Sequence, residues 1–280
     1  MVATATDLIK LEQIITSFFA DIASLKDTSP PAELVAALDT VLDLLNNGKV
    51  RVAAKVNGVW QVNTWLKQAI LLYMVSSKIT LMDAGYTQFL DKVPAKFSGM
   101  ALDEFASLGV RVSPPSYARY GCYIANACVL MTSFVNIGAY VDTGCMLDSF
   151  SLVGSCAQVG KNVHLAAGAG LGGVLEPLQA APVIVEDNCF IGAGSWILEG
   201  VVVEAGAVIA SGLNITQSTK IYDRERDAIS FGKIPAGSVV VPGALPDSSG
   251  KCMLQCAVIV KKIDIATKNK TDINTLLRNI

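Results

Sequence analysis

From Val129 to Gly173 an aliphatic residue falls on every sixth position: Val129, Val135, Val141, Leu147, Val153, Val159, Leu165 and Leu171. The residue after most of them is small or turn-forming (Asn136, Asp142, Asp148, Gly154, Gly160, Ala166, Gly172), and the residue four on is mostly small as well (Ala139, Cys145, Ser151, Ala157, Ala169). Neither an α-helix nor a plain strand repeats with that period. It is the signature of a parallel β-helix, in which each hexad forms one flat face and three faces close one coil. Aliphatic side chains stack inward, and small residues turn the corners.

Beyond Gly173 the pattern breaks at VLEPLQAAPVI and resumes at Val185, Ile191, Ile197, Val203, Ile209 and Ile215. The step from Leu171 to Val185 is 14 residues, two more than two hexads, so this segment is expected to loop out of a coil. The strings IGAGSWILEG (191–200) and IASGLNITQS (209–218) lie 18 apart, one coil of three hexads. A second and more charged excursion covers residues 217–233, after which Ile234 and Val240 restore the pattern. Loops on a regular solenoid are where function is commonly built. The turn-rich PGALPDSSGK (242–251) ends the repeat, MLQCAVIVKKIDI supplies one more β-run, and Lys268–Ile280 has a weak helical pattern that could cap the open end.

The first hundred residues carry different periods. Leu8, Leu11, Ile15, Phe18, Phe19 and Ile22 predict a helix over Asp7–Leu25, capped near Thr6 or Asp7. Pro30 and Pro31 open a second, lined by Leu34, Ala37, Leu38, Val41 and Leu44 and stopped at Gly48. Two β-rich runs around Asn57-Gly58 predict a hairpin, and Thr64 is expected to cap a third helix to about Val75. Signals from Ile79 to Val112 are mixed, with a short helix expected at Leu102–Leu108. Arg111-Val-Ser-Pro-Pro115 makes a rigid, extended entry to the repeat, because each proline fixes φ and blocks helix. The organisation expected is an α-rich part over 1–110, a β-helix over 111–245 and a strand-and-helix tail over 246–280.

Composition narrows the function classes. Of 280 residues 52% are hydrophobic, which suffices for a core, and the net charge of −2 with no basic block recommends neither nucleic acid nor an anionic membrane as partner. The longest apolar run, Ala69–Met82, is interrupted by polar residues and short of the roughly 20 a membrane span needs. The N-terminus lacks signal-peptide features, so a cytoplasmic location is expected. Seven scattered cysteines read as inert buried thiols, Cys145 and Cys189 in small-residue slots, and Cys252 with Cys256 lacks the partners of a zinc site. The single histidine, His164, excludes a multi-histidine metal centre within one chain.

Hexapeptide solenoids most often belong to acyl-coenzyme A transferases, an analogy that needs site evidence. Acyl transfer from a thioester to an amine requires a proton acceptor and donors for the developing oxyanion. His164 has a suitable imidazole, but its place between Val159 and Leu165 favours a polar face residue of the hexad, and a mild effect is expected for His164→Gln. Asp148 occupies a slot where later coils have glycine or alanine, either as a turn cap or as a substrate-facing acid. Arg111, rigidly placed before two prolines, matches a substrate carboxylate or a surface ion pair. Small residues such as Ala193, Gly194, Ser211 and Gly212 would admit a pantetheine arm. Lys220, Arg224, Arg226, Lys233, Lys261 and Lys262 are the basic residues available for its phosphates, with Lys233 and Lys261 preferred.

The strings VNIGAYVD (135–142), VGSCAQVGKNVHL (153–165), GGVLEPLQA (172–180), EDNCFIGA (186–193), PAGSVVV (235–241) and CAVIVKK (256–262), with WLKQAILL (65–72) and VRVSPP (110–115), resemble the 2,3,4,5-tetrahydropyridine-2,6-dicarboxylate N-succinyltransferase family. The resemblance covers nearly the whole chain. It implies a left-handed β-helix, a homotrimer with active sites between neighbours, and acyl-coenzyme A (succinyl or acetyl) with a dicarboxylic amino acid of lysine-pathway type as substrates, without metal. The family's substrate arginine falls on Arg111 and its substrate-binding aspartate on Asp148, the expected catalytic residue. One stretch departs: where the family reads G-A-R-S-E-V-V-E-G, this chain reads Gly192-Ala-Gly-Ser-Trp-Ile-Leu-Glu-Gly200. The family's arginine becomes Gly194 and its active-site glutamate Trp196, while Glu199 matches the second glutamate. A donor shortened toward acetyl, as in a tabtoxin-type acyltransferase, and a catalytically silent trimeric scaffold are the alternatives this departure raises.

Overall fold

In the computed structural model residues 4–25, 29–85 and 87–263 are described; the tail pattern at Lys268–Ile280 lies outside them. Two-residue strands recur along the chain and pair in parallel with the strand one coil away, building three faces. Face one begins at Arg111–Ser113, face two at Tyr117–Ala118 and face three at Tyr123–Ile124. The second residue of each pair points inward. Face one thus contributes Leu130, Leu147, Leu165, Ile191, Ile209 and Val240; face two Val135, Val153, Leu171, Ile197 and Ile215; face three Val141, Val159, Val185, Val203 and Ile234, each at most 1% exposed. Truncating one, as in Leu147→Ala, would leave a cavity between coils and cost about 2–5 kcal/mol.

The repeat differs from the expected one in three ways. Leu147 pairs with Leu130, not Val129, so the step from Leu130 to Val135 is five residues and Val129 belongs to the outer column with Met146. The shortened corner is turned by Thr132 in the left-handed region (φ 50). Second, Val159 pairs with Val185, 26 residues on, so the first excursion adds eight residues to a single corner rather than two to a coil. Third, Pro242–Pro246, expected in a turn, extends the strand Ser238–Pro246, which pairs antiparallel with Met253–Lys262. The second excursion folds as an antiparallel hairpin of Ile221–Asp223 with Ala228–Ser230.

The N-terminal part packs against face three. Helix α1 (Ala5–Phe19) begins at a Thr4/Asp7 capping box, earlier than expected, and the chain continues to Leu25 as a 3-10 turn. Helix α2 (Ala32–Asn46) buries the expected stripe and ends before Gly48, where a Cβ would press on the Tyr123 ring at 2.7 Å. Strands β1 (Ala53–Val56) and β2 (Val59–Val62) form the expected hairpin, turned by Asn57 and Gly58 at positive φ. Helix α3 (Thr64–Ser76) is preceded by Asn63 rather than capped by Thr64. The mixed region holds an unexpected hairpin, β3 (Thr80–Asp83) with β4 (Gln88–Asp91), followed by α4 (Leu102–Leu108) as expected. The core of α1–α3 takes in Ile137 and Cys156 from the solenoid's corner between faces two and three. There Lys67 of α3, fully buried, donates to the carbonyls of Leu178 (3.3 Å) and Ala180 (2.7 Å) and so ties the first excursion to α3.

Six of the seven cysteines are buried and only Cys252 is exposed. Burial pushes the thiols of Cys122 up to about 11 and of Cys156 and Cys189 up to about 12, so none of these is an accessible thiolate near neutrality. A maleimide reagent applied to the native protein should modify Cys252 alone, with the rest reacting only after denaturation. Peptide mapping that found Cys156 or Cys189 modified at the same rate would contradict the packing.

Candidate active site

With face three covered by α2 and the β1–β2 hairpin, and the first turn of the corner between faces one and two by the β3–β4 hairpin, that corner is exposed from Asp148 onward. Asp148 stands on it directly after the inward Leu147, its backbone N–H bonded to Leu165 O (2.9 Å) and its Oδ1 accepting from Ser149 N–H (2.7 Å). One carboxylate oxygen is therefore used in the turn. The other, Oδ2, lies 3.7 Å from His164 Nε2, with the aspartate side chain 35% exposed and the imidazole 8%. His164 pairs with Met146 on the outer column of face one and meets the Phe190 ring edge-on at 5.1 Å. A carboxylate beside an imidazole in a largely desolvated position is suited to holding an amine and moving its proton.

Up the same corner the coils are joined by Gly168 N–H to Ser149 O (2.8 Å), Gly194 N–H to Ala167 O (3.0 Å) and Gly212 N–H to Ala193 O (2.9 Å). Asp148 thus stacks with Ala166, Gly192 and Ala210, and the residues next to it form a parallel column in which Ala167, Ala193, Gly194, Ser211 and Gly212 are exposed. Gly194 and Gly212 have positive φ, a conformation that favours glycine although Phe150 adopts it at the same corner, and no atom lies within 4 Å of a would-be Cβ, so the space above stays open. Arg111, exposed, heads the outer column of face one, paired through Val129 to Met146. Two strand spacings, about 10 Å, separate it from the level of Asp148, a span that a dicarboxylic ligand can bridge.

Other expected residues lie apart from this line within one chain. Trp196 is on face two, where its indole lies across Gly170; a Cβ at Gly170 would collide with the ring. It therefore flanks the corner and does not block it. Glu199 sits at the corner between faces two and three, accepting from Gln217 N–H at 3.1 Å, next to the roots of both excursions. Lys233 is on face three and ion-paired to Glu204 at 3.3 Å, so the structure does not bring it to the small-residue line. Lys261 pairs with Val239 in the last rows of face one. Asp148 lines neither the cavity of about 630 Å³ behind the β3–β4 hairpin nor that of about 330 Å³ under the β1–β2 hairpin. The His164 contact was within reach of the sequence, since one coil added to Met146 leads to His164.

Comparison with known proteins bears on this arrangement. Residues 10–75 match the family model described as tetrahydrodipicolinate N-succinyltransferase N-terminal, and residues 182–217 that of the hexapeptide repeat of succinyl-transferase. Proteins named 2,3,4,5-tetrahydropyridine-2,6-dicarboxylate N-succinyltransferase from Psychrobacter sp. and Polynucleobacter asymbioticus are 54% and 53% identical, over 96% of this chain and 98% of each of theirs. The chain belongs to the tetrahydrodipicolinate N-succinyltransferase family. Within that family membership, the open corner with Asp148 is the natural candidate for the reacting centre.

If Asp148 and His164 act as one unit, Asp148→Asn should lower turnover by roughly 10²-fold or more. The double variant with His164→Gln should then lose little beyond the worse single change. This replaces the mild effect expected for His164 before its neighbour was known. Full activity in Asp148→Asn, or losses that simply multiply, would contradict the pairing.

Proposed function

We propose that the protein is an acyl-coenzyme A-dependent N-acyltransferase that acylates the amine of a tetrahydrodipicolinate- or 2-aminopimelate-like dicarboxylic amino acid. The observation that carries the reading is Asp148, beside His164, on the same corner as an exposed small-residue line that starts at the neighbouring Ser149 and ends at Ser211 and Gly212. Asp148 holds the acceptor ammonium and accepts its proton, and Arg111 binds a carboxylate by parallel hydrogen bonds. The pantetheine arm runs along Ala193, Gly194, Ser211 and Gly212, and Lys261 is the basic residue assigned to the phosphates.

The solenoid is left-handed in this reading, and the working unit is a cytoplasmic homotrimer of chains divided at about 110 and 245. Its site is completed between neighbours. The open corner favours that arrangement, because Glu199, on the corner between faces two and three, could meet Asp148 only across a boundary between chains. Relatives named as N-succinyltransferases support succinyl-coenzyme A as the donor.

A second reading, an uncharged donor such as acetyl-coenzyme A, is favoured by one specific feature. Residues 166–172, 192–198 and 210–215, which make up the corner and face two beyond Asp148, contain no lysine or arginine. A terminal carboxylate on the acyl group would find no cation there, and the Trp196 indole over Gly170 offers an apolar surface.

Steady-state rates with succinyl-, acetyl- and longer acyl-coenzyme A decide between the two. A tenfold preference for succinyl, about 1.4 kcal/mol in the transition state, would eliminate the uncharged-donor reading. Gly194→Arg, which places a cation at the corner, is expected to move the preference toward the succinyl donor. No turnover with any donor across a panel of dicarboxylic amino acids would overturn the enzymatic assignment itself.

A further inference from the structure

The corner between faces three and one, away from Asp148, carries a cavity of about 330 Å³ closed on its outer side by the β1–β2 hairpin. Some of its charges are spent. Lys55 and the Trp60 indole both bond Glu186, at 2.6 and 2.9 Å. Others border the space without meeting. The Arg51 guanidinium is stacked on Tyr140, 3.6 Å from the ring centroid, and faces Trp60 at 5.8 Å, while its Nε donates to Gln158 Oε1 at 3.0 Å. Asp142 and Asp187 line the same cavity, each with one oxygen engaged by a backbone N–H, of Thr143 and Lys161 respectively, both at 2.8 Å. Neither is ion-paired with Arg51, although both carboxylates act on the guanidinium, opposing the downward pull of its burial.

A guanidinium and two half-used carboxylates around one cavity are complementary to a zwitterion. We infer that this cavity binds a free α-amino acid, its carboxylate on the Arg51 guanidinium and its ammonium between Asp142 and Asp187. Gly160 leaves the room this needs, since a Cβ there would collide with Asp187 Oδ1. The five charged side chains of the lining, Arg51, Lys55, Asp142, Glu186 and Asp187, sum to −1. Amino acids with cationic side chains are therefore preferred over neutral ones and acidic ones are disfavoured. The site lies on a different edge of the solenoid from Asp148 and does not depend on the proposed reaction. Because the hairpin and the solenoid both contribute, occupancy fastens the N-terminal part to the coils.

Isothermal titration calorimetry on the full-length protein tests this with L-lysine, L-alanine and L-glutamate, and with propylamine and propionate as the separated halves. Saturable binding is expected in the order L-lysine, L-alanine, L-glutamate, with each half at least tenfold weaker than L-alanine. Arg51→Lys removes the planar fork, and Asp142→Asn keeps the oxygen that accepts from Thr143. Each should weaken L-lysine at least tenfold with an unchanged circular dichroism spectrum. Absence of saturable heat with all three amino acids, equal binding of propylamine and L-lysine, or undiminished binding in Asp142→Asn would each overturn the assignment. If Arg51→Lys unfolds the hairpin, Asp142→Asn and the ligand order still decide.

Discussion

The inward stacking of one aliphatic side chain per face per coil is the constraint on which the rest of this protein depends. Leu130, Leu147, Leu165, Ile191 and Ile209 can lie over one another only if the coil between them closes on a fixed register. A slip of one residue would turn every inward side chain outward. That register fixes the corners as well, and so sets Asp148 in line with Ala166, Gly192 and Ala210, beside the column of Ser149, Ala167, Ala193 and Ser211. The site is a by-product of core packing. Extra residues are accommodated only where they leave a corner and return to the same register, as both excursions do between faces two and three.

Much of this was legible in the residues. The hexad predicted the three-faced coil, the caps and prolines predicted the N-terminal helices, and an acid in a slot otherwise held by glycine or alanine marked Asp148. What periodicity could not decide was the choice between two adjacent aliphatics: Val129 satisfies the six-residue count, yet Leu130 is the one that faces in. The five-residue step is set by the corner at Thr132, which leaves no trace in a hydrophobic pattern. The β3–β4 hairpin was missed because its outer residues Leu81 and Leu90 are apolar though 65% and 71% exposed, so no alternation of polar and apolar positions marks it. Lys67 was unreadable for the opposite reason. A lysine in an apolar helix suggests a solvated edge, whereas here two carbonyls of a distant excursion receive it in full burial.

The candidate site divided along similar lines. Residues linked by local chain geometry, Asp148 with Ser149 and Ala193 with Gly194, share one corner. Two others did not gather there: Glu199, assigned by likeness, and Lys233, taken from the basic residues available for phosphates, lie elsewhere on the same solenoid. A flat prism presents three separate corners, so residues on different corners meet only across a boundary between chains. The Trp196–Gly170 contact has the same lesson. A large side chain that lies flat over a glycine changes the chemistry of a surface without closing it.

A crystal structure of the protein with coenzyme A shows whether the exposed column beside Asp148, ending at Gly212, receives the acyl carrier. The account predicts density for the pantetheine arm beside Ala193, Gly194, Ser211 and Gly212, with its thiol directed toward Asp148 and His164. Carrier density confined to the corner of Glu199, or beneath the β1–β2 hairpin, would contradict it.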